Sequence, residues 1–171
     1  MLAVTHRIYL FIILLSLSSL SVAALSTLDG QQSNIETYTN QGKWTVVMLW
    51  ASDCHICNIE AEQYIQFHEE NKTQNIQVLG VSLDGQQKLS AAKAFVERHD
   101  VTFPNLIGEL TEVVSLYEGL TGHMWVGTPT ILVYNPAGKL LAAQPGAVPT
   151  TLIEEFIKKQ ATANSNTPVS Q

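Results

Sequence analysis

The sequence predicts an α/β domain. Short apolar runs with the composition of β-strands alternate along the chain with longer segments whose apolar residues recur at helical spacing, and this alternation is typical of α/β proteins. Of the 171 residues, 46% are hydrophobic and 14% are charged, a balance that suits a folded core and excludes a disordered chain. We therefore expect one domain over residues 25–160, which is within the usual size range of single domains.

The first 24 residues have the features of a signal peptide. Arg7 precedes an apolar run over Ile8–Leu20, and the segment ends in the small residues Ala23 and Ala24, which suit a signal peptidase. Cleavage there would release the domain into the periplasm or an equivalent oxidising compartment, where disulfides persist. The alternative is an uncleaved membrane anchor, because the run counted to Leu25 approaches the length of a spanning helix.

Four apolar segments are predicted to be strands, over residues 44–50, 76–83, 130–134 and 139–143. The first, WTVVMLW, is a continuous apolar run, as expected for a central strand that is covered on both faces. The last two flank Asn135-Pro136-Ala137-Gly138, which has the composition of a hairpin turn. Near the N-terminus, residues 28–38 contain a turn at Asp29-Gly30 and predict a short hairpin or an edge strand.

Four further segments are predicted to be helices, over residues 54–70, 89–99, 110–117 and 149–159. His68 and His99 lie on polar faces of their helices and are expected to be solvated. The polar residues 161–171 are expected to form a disordered tail.

The two cysteines of the chain, Cys54 and Cys57, form a Cys-x-x-Cys motif between the predicted central strand and the helix that follows it. A strand-to-helix junction places Cys54 at a helix N-terminus, where free N–H groups and the helix dipole lower the pKa of a thiol. Cys57, one turn further along, can attack a mixed disulfide on Cys54 and release the substrate. The motif therefore predicts thiol–disulfide exchange, with a Cys54–Cys57 disulfide in the oxidised protein.

Two other interpretations of the motif stay open. A purely structural disulfide is disfavoured, because a bridge that encloses two residues removes little loop entropy from the unfolded chain. A zinc or copper site would use His55, His123 and Met124 as further ligands, but a structural zinc site usually has a second close-spaced ligand pair. Haem attachment is excluded because Asn58, and not His, follows the second cysteine. We therefore expect no cofactor.

The net charge limits the possible partners. Fifteen acidic residues against nine basic ones give a formal charge of −6, which cannot supply the cationic surface that phosphate binding requires. Nucleic acid is therefore excluded as a partner. We expect a monomer that acts on other proteins.

Several stretches of the sequence together match a known pattern. They are Leu28-Asp29-Gly30, Gly42-Lys43-Trp44, Leu49-Trp50-Ala51-Ser52, Gly80-Val81-Ser82-Leu83-Asp84, Phe103-Pro104, Thr128-Pro129-Thr130 and Asn135-Pro136-Ala137-Gly138-Lys139. Together with the Cys-x-x-Cys they resemble the thioredoxin superfamily, and more closely its exported TlpA/ResA-like thiol–disulfide oxidoreductases. The resemblance covers most of residues 28–158.

This resemblance implies both a fold and an activity. The fold would be thioredoxin-like, with a central mixed sheet flanked by helices, a TlpA-type N-terminal hairpin and a helical insertion. The activity would be that of a protein-disulfide reductase in which Cys54 is the nucleophile and Cys57 the resolving thiol, recharged by a membrane thiol carrier. The alternatives are a disulfide oxidase or isomerase and, outside this class, a copper-binding or other metal-binding chaperone.

The family pattern also implies where substrates would bind. Pro129 is expected to follow a cis peptide bond that faces the cysteines, and Thr128 to offer its backbone to an extended substrate segment. Trp50, Asp53 and His55 lie close to the cysteines in the sequence and are further candidates for substrate contact, although the composition around Trp50 favours a core position.

Two positions depart from the family pattern. Asp53 stands where these proteins usually have Trp, and its charge is expected to oppose formation of the Cys54 thiolate, whereas protonated His55 would favour it. Met48 occupies the strand position where thioredoxin has a buried Asp that handles the proton of the second cysteine. Glu60 lies one helical turn beyond that cysteine, and we expect it to accept the proton instead.

Overall fold

The computed structural model describes residues 25–165. The predicted signal peptide over residues 1–24, its cleavage site and residues 166–171 lie outside the described residues. Between residues 25 and 165, no helix is long and apolar enough to cross a membrane.

This part of the chain contains seven strands and five α-helices. The strands are β1 (Leu25–Thr27), β2 (Gln32–Ser33), β3 (Trp44–Trp50), β4 (Ile76–Ser82), β5 (Asn105–Ile107), β6 (Thr130–Tyr134) and β7 (Leu140–Pro145). The helices are α1 (Glu36–Thr39), α2 (His55–Asn71), α3 (Leu89–Arg98), α4 (Leu110–Thr121) and α5 (Thr150–Ser165). All the strands belong to one sheet, in the order β2-β1-β5-β4-β3-β6-β7.

Strand β3 is the centre of the sheet and was predicted with its observed bounds. It pairs in parallel with β4 and antiparallel with β6, and all seven of its residues are buried. Because side chains alternate along a strand, Met48 and Trp50 pack into one hydrophobic cluster and Val47 and Leu49 into another, on the opposite face. Both faces of β3 are thus covered. The C-terminal end of this strand, where the Cys-x-x-Cys begins, is therefore held by the core.

The predicted fold class is confirmed, with a mixed sheet, flanking helices and an N-terminal hairpin formed by β1 and β2. The sheet is mixed because β3, β4 and β5 are parallel whereas β1, β2, β6 and β7 join it antiparallel. Helices α3 and α4 lie between β4 and β6 in the chain.

Strand β5 is not among the strands that the sequence predicts. It has three residues, too few for a strand pattern to be recognised. Its conformation comes from pairing, because Asn105 and Ile107 lie opposite Gly80 and Ser82 of β4.

Helix α5 is longer than predicted. It continues through Ser165, so the disordered tail expected from residue 161 is wrong for residues 161–165. Between Lys159 and Ser165 the sequence has no Gly or Pro, and Pro168 is the first residue beyond the helix that would stop it.

His68 was expected to be solvated, and the structure corrects this. Strand β5 is too short to cover the N–H of Val78 on β4, and His68 Nδ1 accepts a hydrogen bond from that N–H at 3.1 Å. The ring is half-buried, and burial lowers the pKa of His68. His68 therefore completes the hydrogen bonding of a strand that its neighbour leaves open.

Gly80 on β4 lies where two side chains from neighbouring strands meet. Trp50 Nε1 donates a hydrogen bond of 3.1 Å to Asn105 Oδ1 across the backbone of Gly80. A Cβ at position 80 would collide with the Asn105 carboxamide and would lie 2.9 Å from Trp50 Nε1. Only glycine leaves room for this hydrogen bond.

We predict that Gly80→Ala lowers the free energy of unfolding by about 1–3 kcal/mol, because the added methyl group must displace the Asn105 carboxamide. Gly119→Ala is the matched control, since Gly119 lies in α4 with no atom within 4 Å of its added Cβ. That change should raise the stability by about 0.5–1 kcal/mol through helix propensity. Urea denaturation measures both, and a Gly80→Ala protein as stable as the parent would contradict the prediction.

Candidate active site

Cys54 and Cys57 form a disulfide at the start of α2, with their Cα atoms 5.2 Å apart. Cys54 is the N-cap residue of the helix, and its Sγ accepts a hydrogen bond of 3.0 Å from the backbone N–H of Cys57. Cys57 has no exposed surface, whereas Cys54 is only half-buried. The outer sulfur is therefore the one that a substrate can reach, and a helix N–H already points at it.

The loop that carries Cys54 is held by a carboxylate from the next parallel strand. Asp84, two residues beyond β4, accepts hydrogen bonds from the Ser52 N–H at 3.0 Å and the Ser52 hydroxyl at 2.9 Å, one on each oxygen. The Ser82 hydroxyl donates a third bond to Asp84, at 2.8 Å. Asp84 was expected to lie in the turn after the second predicted strand, with no role in the site. Its position after a strand parallel to β3 is the signal that could have identified it, because parallel strands end at the same edge.

Asp53 forms an ion pair that the sequence analysis missed. Lys88, which directly precedes α3, places its Nζ 2.9 Å from Asp53 Oδ2. The hydrogen bond from Lys88 and its positive charge lower the pKa of Asp53. The negative charge that was expected to oppose the Cys54 thiolate is thus balanced by a neighbouring cation. Both side chains are mostly exposed, so salt will screen this pair.

Trp50 does not fit the predicted role in substrate contact. Its side chain is 1% exposed, its ring stacks on Phe95 at a centroid distance of 4.2 Å, and its indole N–H is bonded to Asn105. The interpretation of Trp50 as a core aromatic is the correct one. Trp50 is the last residue of β3 and packs in the core directly before the active-site loop begins.

The Thr128–Pro129 peptide bond is cis, as the resemblance implies. Thr130 lies opposite Leu49 in the pairing of β6 with β3, so residues 127–129 run past the end of β3 beside the active-site loop. Thr128 is half-buried and Pro129 is buried. Thr128 lines a cleft of about 290 Å³ whose other walls include Asp53 and Trp125.

Exposed apolar side chains lie on α2 and on the loop before Thr128. Ile56 and Ile59, in the first turns of α2, are 42% and 59% exposed, and Met124 and Val126, in the loop before Thr128, are 80% and 72% exposed. His55 is exposed among them.

His123 is also exposed, and no group of three His, Cys, Asp or Glu residues within residues 25–165 is arranged to hold a metal ion. A metal site at the disulfide would require the cysteines to be reduced first.

Met48 on β3 cannot accept a proton, whereas Glu60 on α2 carries a carboxylate that can. Met48 is buried in the same hydrophobic cluster as Cys57, so β3 offers no acid there. Glu60 is half-buried on α2 and accepts a hydrogen bond from the Gln63 side chain, one turn further along. Burial, and then the charge of Glu60, raise the pKa of Tyr64, so the carboxylate lies within electrostatic range of that buried phenol.

We predict that Lys88→Gln shifts the alkylation midpoint of Cys54 in the reduced protein to higher pH by a few tenths of a pH unit, because Asp53 then keeps an unbalanced charge beside the thiolate. Asp53 is ionised throughout that range in both proteins: in the parent Lys88 lowers its pKa, and without Lys88 an ordinary aspartate still ionises well below the pH at which thiols titrate.

Lys93→Gln is the control, because it removes the same charge from an exposed position of α3. The shift caused by Lys88→Gln should vanish in about 1 M salt, where exposed charges are screened. Equal shifts in the two lysine variants would contradict the prediction.

The sequence of this chain matches a protein family and individual relatives. The model of the AhpC/TSA family matches residues 19–143. The thiol-disulfide oxidoreductase ResA of Oceanobacillus iheyensis is 27% identical over 126 residues, which cover 74% of this chain and 62% of that protein. The sporulation thiol-disulfide oxidoreductase A of Bacillus subtilis is 21% identical over 140 residues, which cover 81% of this chain and 79% of the relative.

Solved structures share the fold. A thioredoxin-family thiol:disulfide interchange protein from Chlorobium tepidum matches with a TM-score of 0.65 at 18% identity, over 80% of this chain and 93% of that one. StoA from Bacillus subtilis matches with a TM-score of 0.60 at 20% identity, over 78% and 93% of the two chains. The fold is therefore that of thioredoxin-family proteins, and the chain belongs to the AhpC/TSA family.

Proposed function

We propose that this protein is a thiol–disulfide oxidoreductase that exchanges disulfides with other proteins through Cys54 and Cys57. One observation carries the proposal: the disulfide caps a helix, with its outer sulfur accessible and its inner sulfur buried. The names of the relatives support it. The chain spans 62% of the ResA relative's length, so the geometry of the site is the main support.

The geometry suits a reaction in two displacement steps. In the first, the Cys54 thiolate attacks one sulfur of a substrate disulfide, the substrate S–S bond breaks, and the released substrate thiolate takes up a proton. In the second, Cys57 loses its proton and attacks Cys54 Sγ, which breaks the mixed disulfide and releases the other substrate thiol. Two electrons pass from the cysteine pair to the substrate, and the Cys54–Cys57 disulfide is formed.

The start of α2 favours the first step. A thiolate at Cys54 would keep the hydrogen bond from the Cys57 N–H and would lie at the positive end of the helix dipole. A charged sulfur accepts this bond more strongly than a neutral one. Cys54 is therefore the nucleophile.

The apolar surface around Cys54 supports proteins as substrates. Ile56, Ile59, Met124 and Val126 would pack against side chains that flank a substrate cysteine. The backbone of Thr128 lies beside the same loop and would pair with an extended segment of the substrate. Pro129 is buried next to Thr128, Asp53 lines the cleft beside Thr128, and His55 is exposed next to Cys54, so Asp53 and His55 would supply polar contacts to a substrate.

We assign the reductase direction from the resemblance to the TlpA/ResA-like group. A reductase in an oxidising compartment needs a supply of electrons, and a membrane thiol carrier that reduces the Cys54–Cys57 disulfide would provide them. The predicted signal peptide is the basis for this location.

Glu60 is proposed to accept the proton that Cys57 releases in the second step. It lies three residues beyond Cys57, which places both side chains on the same side of α2. Met48, buried beside Cys57, has no group that can take a proton. The carboxylate reaches the sulfur directly or through a water molecule.

We predict that Cys57→Ser accumulates mixed disulfides with substrate proteins, because the resolving thiol is lost, whereas Cys54→Ser forms none. Non-reducing electrophoresis and mass spectrometry detect the adducts and identify the linking cysteine. The reduced parent protein should also reduce insulin disulfides, and both serine variants should fail. Trapping by Cys54→Ser would reverse the assigned roles.

The same protein samples distinguish a reductase from an oxidase and from a metal-binding chaperone. A reductase should remain oxidised when equilibrated with millimolar reduced glutathione, whereas an oxidase should become reduced. Tight copper binding by the reduced protein, without insulin reduction, would favour a metal-binding chaperone.

We predict that Glu60→Gln slows turnover at neutral pH by up to about 100-fold, because the amide keeps the shape of the side chain but cannot accept a proton. Alkylation of Cys54 should change much less, since that thiol reacts in the first step. Glu62→Gln is the matched control, an exposed acid on the same helix. If turnover and its pH profile match the parent protein, the proton of Cys57 leaves through water.

A further inference from the structure

The side chain of Asn58, the residue directly after the second cysteine, has four hydrogen-bond partners. Its Nδ2 donates to the carbonyl of Ser52 at 3.2 Å and to the carbonyl of Cys54 at 2.9 Å. Its Oδ1 lies 3.0 Å from His99 Nε2 and accepts a bond of 3.3 Å from Arg98. The carboxamide thus links the active-site loop to the C-terminal end of α3.

The orientation of the carboxamide follows from these partners. Two carbonyl oxygens can only accept, so the Asn58 nitrogen must face Ser52 and Cys54. The Asn58 oxygen then faces α3, and His99 must carry a proton on Nε2 in order to donate to it. Both hydrogens and the oxygen of the carboxamide are in use.

The α3 end of this link is anchored in the core. The His99 ring contacts Phe95 at a centroid distance of 4.6 Å, and Phe95 stacks on Trp50, the last residue of β3. His99 was predicted to be solvated, and this contact together with its half-buried position corrects that expectation. Asn58 therefore connects the loop to a rigid part of the molecule.

The loop end of this link is the N-cap residue. Cys54 caps α2 with an extended backbone, at φ −75° and ψ 111°, and this conformation directs its sulfur toward the Cys57 N–H. The side chain and the backbone N–H of Asn58 both bind the Cys54 carbonyl, at 2.9 and 3.1 Å. Fixing that carbonyl fixes the ψ angle of Cys54.

We propose that Asn58 is a positioning residue, which with His99 holds Cys54 in the conformation that stabilises its thiolate. The effect of Asn58 on turnover rests on the proposed function. The proposal concerns the reactivity of one thiol, however, which is measured without any protein substrate.

The test compares two asparagines of α2. Asn58→Ala removes both bonds to the loop. Asn71→Ala removes a bond of the same kind, from Asn71 to the Phe67 carbonyl four residues earlier at 3.0 Å, at the far end of the helix. Both reduced variants are alkylated with iodoacetamide from pH 5 to 9, and their thiol–disulfide equilibrium with glutathione and their thermal unfolding are measured.

We expect Asn58→Ala to lower the alkylation rate of Cys54 near pH 7 by about three- to tenfold, the size of effect that loss of a helix cap produces. The alkylation midpoint moves to higher pH, and the disulfide becomes harder to reduce because the thiolate of the reduced form is less stable. Asn71→Ala should lower the melting temperature and leave the alkylation profile unchanged. An unchanged profile for Asn58→Ala, or an equal shift for Asn71→Ala, would overturn the proposal.

Variants of His99 test the link from the α3 side without altering α2. His99→Leu should shift the Cys54 profile in the same direction, and His99→Gln, which retains a donor, should restore it. The His99 variants also test the link if Asn58→Ala fails to fold. A His99→Leu protein whose Cys54 alkylation profile matches that of the parent would refute the role of His99. Failure to reduce insulin together with the expected Asn58 shift would overturn the proposed function alone.

Discussion

The hydrogen bond from the Cys57 N–H to the Cys54 sulfur is the interaction on which the active site depends. It exists because β3 ends at Trp50 inside the core and α2 begins at His55, so the chain must turn within four residues. The sulfur takes the place of the side-chain oxygen that usually caps a helix. A change that moved the end of β3 or the start of α2 would therefore change the chemistry of Cys54 as well as the fold.

Polar groups from three neighbouring segments hold this turn. Asp84 reaches it from the end of β4, Lys88 from the start of α3, and Asn58 from within α2. They converge because β3 and β4 are parallel, so that their C-terminal ends and the segments that follow lie at one edge of the sheet. The sulfur chemistry thus takes place on a loop whose backbone groups are bonded to side chains from the rest of the fold.

The parts of this structure that sequence could predict are those encoded by nearby residues. Seven consecutive apolar residues predicted β3, and two cysteines at a strand-to-helix junction predicted the disulfide. The contacts that sequence missed join distant positions: Lys88 is 35 residues from Asp53, and His99 is 41 residues from Asn58. A half-buried histidine and a solvated one have the same local pattern. Only the long-range hydrogen bonds, from Val78 to His68 and between His99 and Asn58, distinguish them.

The difference in burial between the two cysteines has a consequence for the order of the reaction. Cys57 is fully buried in the hydrophobic cluster that also contains Met48 and Trp50, and burial in apolar surroundings disfavours a charged thiolate. Cys54 faces solvent and a helix N–H, which favour the charge. This difference supports the proposed order, in which the outer sulfur attacks the substrate and Cys57 acts in the second step. An acid at position 48 would weaken this distinction by bringing a polar group to Cys57. With Met48 there instead, the proposed exit for the proton of Cys57 is on the α2 side, where Glu60 lies.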